Sequence, residues 1–110
     1  MSIDEVRELV QNASNVFVLT GAGISTDSGI PDFRGPDGLW TKNPGAEQAS
    51  DIRVFRTNRS SRMAFWRMML MMRGVRPKPN PGHIALAKLE SEGKLLLLAT
   101  QNVDGLHQEA

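Results

Sequence analysis

Val16-Phe17-Val18-Leu19-Thr20-Gly21-Ala22-Gly23-Ile24-Ser25-Thr26-Asp27-Ser28-Gly29-Ile30-Pro31-Asp32-Phe33-Arg34 is the stretch on which the fold turns. Val16 to Leu19 form an unbroken bulky run, as in a strand buried on both faces. The run empties into a Gly-x-Gly turn and a helix start made of small residues. A chain offers bare backbone N–H groups to a pyrophosphate in this way. Gly21 permits a tight turn with positive φ, and Gly23 lets the backbone come close to a phosphate with no Cβ in the way. Ser25, Thr26 and Ser28 supply hydroxyls and N-caps. A Gly-x-Gly pair alone also marks an ordinary turn. An ordinary turn has no use for the stiff corner, carboxylate, aromatic ring and guanidinium of Ile30-Pro31-Asp32-Phe33-Arg34. The fingerprint of common dehydrogenases does not fit. Thr26 stands where its third glycine belongs, and Thr41 stands where a ribose-binding acid is expected, about 20 residues after the first glycine.

A second apolar run, Lys94-Leu95-Leu96-Leu97-Leu98-Ala99, follows Gly93 and predicts a second buried strand. It leads into Thr100-Gln101-Asn102-Val103-Asp104-Gly105-Leu106-His107, which puts polar groups at a strand's carboxyl end, where open α/β sheets bind ligands. Gln101 and Asn102 can bond ribose hydroxyls or an amide, and Asp104 can accept from a carboxamide. Taken alone, the segment also reads as a loop with Asp104 capping a helix.

The two motifs together closely resemble the sirtuins, the NAD-dependent protein deacylases. Pro79-Asn80-Pro81-Gly82-His83 is similar to that family's Pro-Asn-x-x-His element. Gly35-Pro36-Asp37-Gly38-Leu39-Trp40-Thr41, with the Asn-Val-Asp-Gly-Leu-His ending, looks most like the branch of the sixth and seventh mammalian types. The resemblance implies an α/β fold, the N-terminal portion of a Rossmann-like doubly wound parallel sheet. Residues 1–110 would form the first part of a catalytic domain, with a cofactor loop and helical insertion over about residues 35–93. NAD is the implied cofactor. Its implied contacts are Gly21, Ala22, Gly23, Ile24, Ser25, Asp32, Phe33, Arg34, Trp40, Gln101, Asn102, Val103 and Asp104. Gly21, Ala22, Gly23 and Ser25 would hold the pyrophosphate and Arg34 would face it. Phe33 would shield the reactive ribose carbon, and Asp32 would organise the loop near nicotinamide. Residues 101–104 would line the nicotinamide and ribose pocket, with Asn102 supporting catalysis. The implied partner is an acyl-lysine protein or peptide.

The resemblance also defines what residues 1–110 lack. The family's general base is a histidine in a His-Gly element downstream of the Gln-Asn-x-Asp segment, and this chain ends before that point. His83 corresponds to a structural histidine of the family, and His107 is expected on a helix surface. The family's zinc module needs four cysteines and the chain has none, so no metal site is expected. The expectation is thus a fragment, inactive alone. The alternative is a non-catalytic NAD or ADP-ribose module. Acyl preference has one clue. Sirtuins that remove acidic acyl groups use a Tyr and an Arg three residues apart, positions that fall here near Trp66 and Met69. The chain has no Tyr, which disfavours succinyl and malonyl lysine.

The remaining sequence fits around this frame. A chain of 110 residues, 40% hydrophobic, allows one small domain. Only two strands are evident, so their apolar faces would lack full cover, which invites aggregation. Net charge +1 makes no case for nucleic acid, and the absence of a signal peptide or transmembrane run implies an intracellular setting. Ser2-Ile3-Asp4-Glu5 is a capping box, and Ile3, Val6, Leu9 and Val10 form a stripe, predicting a helix over residues 3 to 12. Pro36, Gly38, Pro44 and Gly45 mark a loop over the cofactor. Met63, Phe65, Trp66, Met68, Met69, Leu70, Met71 and Met72 predict one helix. It reads equally as a wall of an acyl channel or as plain packing with Arg62, Arg67 and Arg73 in solvent. A further helix is expected from near Pro81 to a stop at Gly93.

Overall fold

The capping box works as the sequence predicts. Ser2 Oγ accepts from the Glu5 amide (3.2 Å), and Glu5 accepts from the Ser2 amide (2.5 Å), starting helix α1 at Ile3–Asn12. The computed structural model describes residues 1–43, 45–74 and 76–110. Pro44, expected in the cofactor loop, lies outside the described residues. Strand β1 (Val16–Thr20) pairs in parallel with β2 (Leu95–Thr100), Thr20 opposite Thr100 at the carboxyl ends. Between them run a 3-10 turn (Ala22–Ser28), short helices α2 (Leu39–Lys42), α3 (Ala46–Ala49) and α4 (Ile52–Thr57), and the longer α5 (Arg59–Gly74) and α6 (Pro81–Ser91). Helix α7 (Leu106–Glu109) follows β2. The fold is α/β, a parallel pair with a helical crossover, as the sequence predicts.

Four local expectations are corrected. Val16–Leu19 is not buried on both faces: Phe17 is 59% and Leu19 63% exposed, and on β2 Leu96 is 68% exposed. The two-stranded sheet leaves these side chains uncovered. Gly21 has φ −137°, ordinary extended backbone, and the left-handed residue of this segment is Gly29 at φ 86°. The helix start after Gly23 is 3-10 rather than α. Asn80 Nδ2 donates to the Ile24 carbonyl (2.7 Å), the group that an α-helix would use to accept from the Ser28 amide. The loop over residues 35–45 contains a helical turn, Leu39–Lys42.

Helix α5 packs against α4, and two of its residues, Met69 and Met72, line a cleft described below. Phe65 and Trp66 pack with Phe55 of α4 edge to face, with centroids 5.4 and 6.3 Å apart. Arg67 and Arg73 are exposed, whereas Arg62 folds back to donate to the carbonyls of Phe55 (2.9 Å) and Arg56 (3.1 Å) at the end of α4. Helix α6 is capped by Asn80, whose Oδ1 accepts from the Gly82 amide (2.8 Å), and the chain turns out of it at Gly93 (φ 71°). No helix of the described residues is long and apolar enough to cross a membrane. The radius of gyration, 16.9 Å, exceeds the roughly 13 Å of a round domain of this length, so little of the chain is interior.

The segment Asp32–Trp40 is a closed loop. Leu39 N donates to Asp32 O (2.8 Å), Trp40 N to Phe33 O (2.9 Å), and Gly35 N to Asp32 Oδ1 (3.0 Å). A Cβ at Gly38 would run into the carbonyl of Phe33. Gly38→Ala is therefore expected to open this loop while leaving β1 and β2 paired. Trp40 fluorescence should shift to the red with little change in far-ultraviolet dichroism, and an unchanged Trp40 signal would show that the loop tolerates the methyl group.

Candidate functional site

The 3-10 turn after β1 is held by residues far along the chain. Ser25, 1% exposed, is the hub. Its hydroxyl donates to Asp104 Oδ2 (2.7 Å) and accepts from Asn102 Nδ2 (3.3 Å). His83 Nε2 lies 3.4 Å away. The Asn80 amide donates to His83 Nδ1 (3.2 Å), which assigns the ring hydrogen to Nε2 and directs it at Ser25. Asn102 Nδ2 also donates to the Gly21 carbonyl (2.9 Å), and Asn80 Nδ2 to Ser28 Oγ (2.9 Å). The three motifs read from the sequence thus meet at one turn.

A cleft of about 320 Å³ opens beside this knot, at the carboxyl ends of β1 and β2. One side carries Ala22, Ser25, Gln101, Asn102, Val103 and Asp104, the rim carries Ile30, Pro31 and Phe33, and the far wall carries Met69, Met72, Arg73 and Pro77. The amides of Ala22 and Gly23 donate to no protein group among the described residues, and the first amide bonded within the turn is that of Ile24, to Gly21 O (3.2 Å). Among the described residues nothing lies within 4 Å of a Cβ at Gly23. Two unspent donors with open space before them fit an anionic phosphate.

The other expected residues sit elsewhere. Ser25 spends its hydroxyl hydrogen on Asp104 and so acts inside the fold. Asp104 also caps α7, accepting from the Leu106 amide (3.0 Å). Gly21, Gly23, Ile24, Asp32, Arg34 and Trp40 are outside the cleft lining. Arg34, expected to face the phosphates, donates instead to Glu47 (3.2 Å) and lies 4.4 Å above the Trp40 ring. Trp40 in turn stacks at a tilt on Phe33, with centroids 4.9 Å apart, and its buried Nε1 has no partner among the described residues. His107 is not on a helix surface: it is half-buried, with Nε2 2.8 Å from Thr20 Oγ1 and its ring 4.9 Å from that of His83. The supporting role of Thr20 and Thr100 was not read from the sequence, although both are the last residues of their strands.

A parallel-strand α/β unit with a glycine turn and a cleft at the strands' carboxyl ends is a nucleotide-binding fold of the Rossmann-like class. Residues 21–110 match the Sir2 family, and the chain belongs to that family. It is 44% identical over 109 residues to an NAD-dependent protein deacetylase of Chromobacterium violaceum, covering 96% of this chain and 43% of that protein. With an NAD-dependent protein deacetylase of Sulfurisphaera tokodaii it shares 45% identity over 111 residues, 100% of this chain and 43% of that protein. With an NAD-dependent protein deacylase of Pyrococcus furiosus it shares 44% over 110 residues, 98% and 42%. A solved Sir2 complex with a deacetylated p53 peptide and 3'-O-acetyl ADP-ribose superposes with a TM-score of 0.81 at 40% identity, over 98% of this chain and 43% of that one. A Sir2 complex with p53 peptide and NAD+ gives 0.71 at 39% identity, over 99% and 42%. The chain spans about two fifths of the length of the curated relatives it matches.

Two outcomes follow from this geometry. Ser25→Ala leaves the Asp104 carboxylate, the Asn102 amide and the His83 ring without their common partner, and should cost about 1–3 kcal/mol in urea unfolding. A loss of only a few tenths would mean that the hub is replaceable. His107 is held below its ordinary 6.5, first by burial and then by the neighbouring His83, with Asp104 acting the other way. The folded ring binds fewer protons than the unfolded one. Stability is therefore full above about 6.5 and falls as pH drops from there through the folded value. Urea midpoints measured against pH should show this fall, and His107→Gln should flatten it.

Proposed function

We propose that this chain is the cofactor-binding portion of an NAD-dependent protein-lysine deacylase, which moves an acyl group to ADP-ribose and releases nicotinamide. The observation that carries the reading is the pair of amides at Ala22 and Gly23 that donate to no protein group among the described residues, the first of them on a residue that lines the same cleft as Gln101, Asn102, Val103 and Asp104. When bound, NAD supplies the ribose carbon that receives the acyl oxygen and the nicotinamide that leaves. The chain's own residues do the rest. The Ala22 and Gly23 amides hold the pyrophosphate. Asn102, fixed by Gly21 and Ser25, lines the nicotinamide end, and Asp104 is held beside it by Ser25. Phe33 stands at the rim, where an aromatic ring excludes water from a cation-like transition state. Met69 and Met72 offer an apolar, adaptable wall to an acyl chain, favouring acetyl or a longer apolar group over succinyl or malonyl. The run Gly35–Thr41 and the ending Asn102–His107 support the branch of the sixth and seventh mammalian types as a finer placement; the relatives described above are bacterial and archaeal.

A second reading, binding without turnover by residues 1–110 alone, is favoured by the histidines. His83 is spent on Asn80 and Ser25, His107 on Thr20, and neither lines the cleft. Incubation of this chain with NAD and an acetyl-lysine peptide is expected to release no nicotinamide, and release at an enzymatic rate would overturn this second reading.

The phosphate assignment is tested at Gly23, which is not in a left-handed conformation and meets no neighbour at its Cβ position. Gly23→Val should keep the fold, because nothing among the described residues lies within 4 Å of its Cβ position. Calorimetry should show NAD affinity reduced by at least about tenfold, or about 1.4 kcal/mol. Unchanged affinity in the folded variant would remove the pyrophosphate from this turn.

A further inference from the structure

We propose that His107 is a positioning residue for Asn102, acting through a relay of two threonine hydroxyls, and that protonating its ring loosens the cleft. The proposal rests on the cleft being the dinucleotide site. The relay has three steps. His107 Nε2 lies 2.8 Å from Thr20 Oγ1, Thr20 Oγ1 donates to Thr100 Oγ1 at 2.9 Å, and Thr100 Oγ1 accepts from the backbone amide of Asn102 at 3.1 Å. Thr20 has a single hydroxyl hydrogen and gives it to Thr100, so its oxygen accepts from the His107 ring N–H. The relay exists because Thr20 and Thr100 stand opposite each other in the parallel register, with their hydroxyls on the same face. It ends on the residue whose side chain reaches Gly21 O and Ser25 Oγ. The position of the His107 ring therefore bears, three hydrogen bonds away, on where Asn102 leaves β2.

The surroundings of the ring make it sensitive to charge. Helix α6 presents His83, whose ring meets His107 at 61°, and Glu90, which lines the same recess. Strand β1 presents the Thr20 hydroxyl; strand β2 adds Thr100 and the apolar Leu95 and Leu98. Asp104, on the loop before α7, has its carboxylate committed to Ser25 and the Leu106 amide. A protonated ring gains a second N–H donor and a charge among groups arranged around the uncharged form. Relief comes by moving the ring, and the hydroxyls it holds move with it.

The test is an NMR titration of the isotope-labelled chain from about pH 8 to about pH 5, with ADP-ribose affinity measured by calorimetry over the same range. The Asn102 backbone and side-chain amide signals are expected to follow the His107 ring midpoint, and affinity to fall about fivefold or more on the acid side. In His107→Gln both pH dependences should vanish. In Thr100→Val the ring should still titrate while Asn102 no longer follows it. Asn102 signals that ignore the ring's titration in the unaltered chain, or that follow it equally in Thr100→Val, would overturn the relay. Coupled signals without ADP-ribose binding at any pH would leave the relay standing and refute the reading of the cleft. Binding without coupled signals would do the reverse.

Discussion

The hydroxyl of Ser25 has one hydrogen to give and two lone pairs to offer, and the fold uses all three. Its partners stand 58, 77 and 79 residues further along the chain. The turn after β1 is fixed at long range by this oxygen, by Asn80, which takes the carbonyl of Ile24 and the hydroxyl of Ser28, and by Asn102, which takes the carbonyl of Gly21. Because Ser25 lies in the middle of the 3-10 turn, its position sets the direction of the free amides at Ala22 and Gly23. The site is aimed from behind, by groups that do not themselves need to touch a ligand.

This dependence on polar contacts matches the distribution of burial. Among the described residues Leu106 is the one hydrophobic side chain in the buried class, whereas Thr20, Ser25, Asn80 and His83 are all buried. A satisfied network in a low-dielectric interior holds one geometry and is costly to break in part, whereas loosely covered apolar surface tolerates many packings. Phe17, Leu19, Leu96 and Leu97 remain more than half exposed, so the two-stranded sheet contributes its ladder and its carboxyl ends rather than a filled core. Precision at the site comes from hydrogen bonds, and the apolar surface of the strands lies ready for further cover.

What the sequence reveals and what it conceals divide along range. The helices Ile3–Asn12 and Pro81–Ser91 follow from caps and stops within a few residues, and both strands follow from short apolar runs. The convergence of the motifs around the 3-10 turn was legible as a pattern. The φ of Gly21 was not. A glycine pair grants conformational freedom without saying which glycine uses it, and here Gly29 does. The 3-10 geometry depends on Asn80, 56 residues beyond Ile24. Arg34 follows Phe33 in sequence, but Glu47 and the Trp40 ring decide where its guanidinium lies. His107 looked solvent-facing because the partner that draws it inward, Thr20, becomes its neighbour only when two strands pair in one particular register.

The cleft is built from two kinds of material, and the difference has a functional logic. On the side that carries Ala22 and residues 101–104, three polar side chains are tied down: Asn102 by two bonds, Asp104 by two, Ser25 by three. A cofactor of constant shape is matched best by donors that do not move, since nothing is then spent on ordering them. The opposite wall, Met69 and Met72 of α5, has unbranched thioethers with several rotatable bonds, which can mould to apolar groups of different shape. Phe33 belongs to neither side. Its direction is set by the closed loop from Asp32 to Trp40, through the backbone bonds that cross that loop and the stacked indole. The tied polar side chains, the methionine wall and Phe33 thus have separate supports, so that in the proposed reading the wall can adapt to an acyl group while the polar side chains opposite stay fixed.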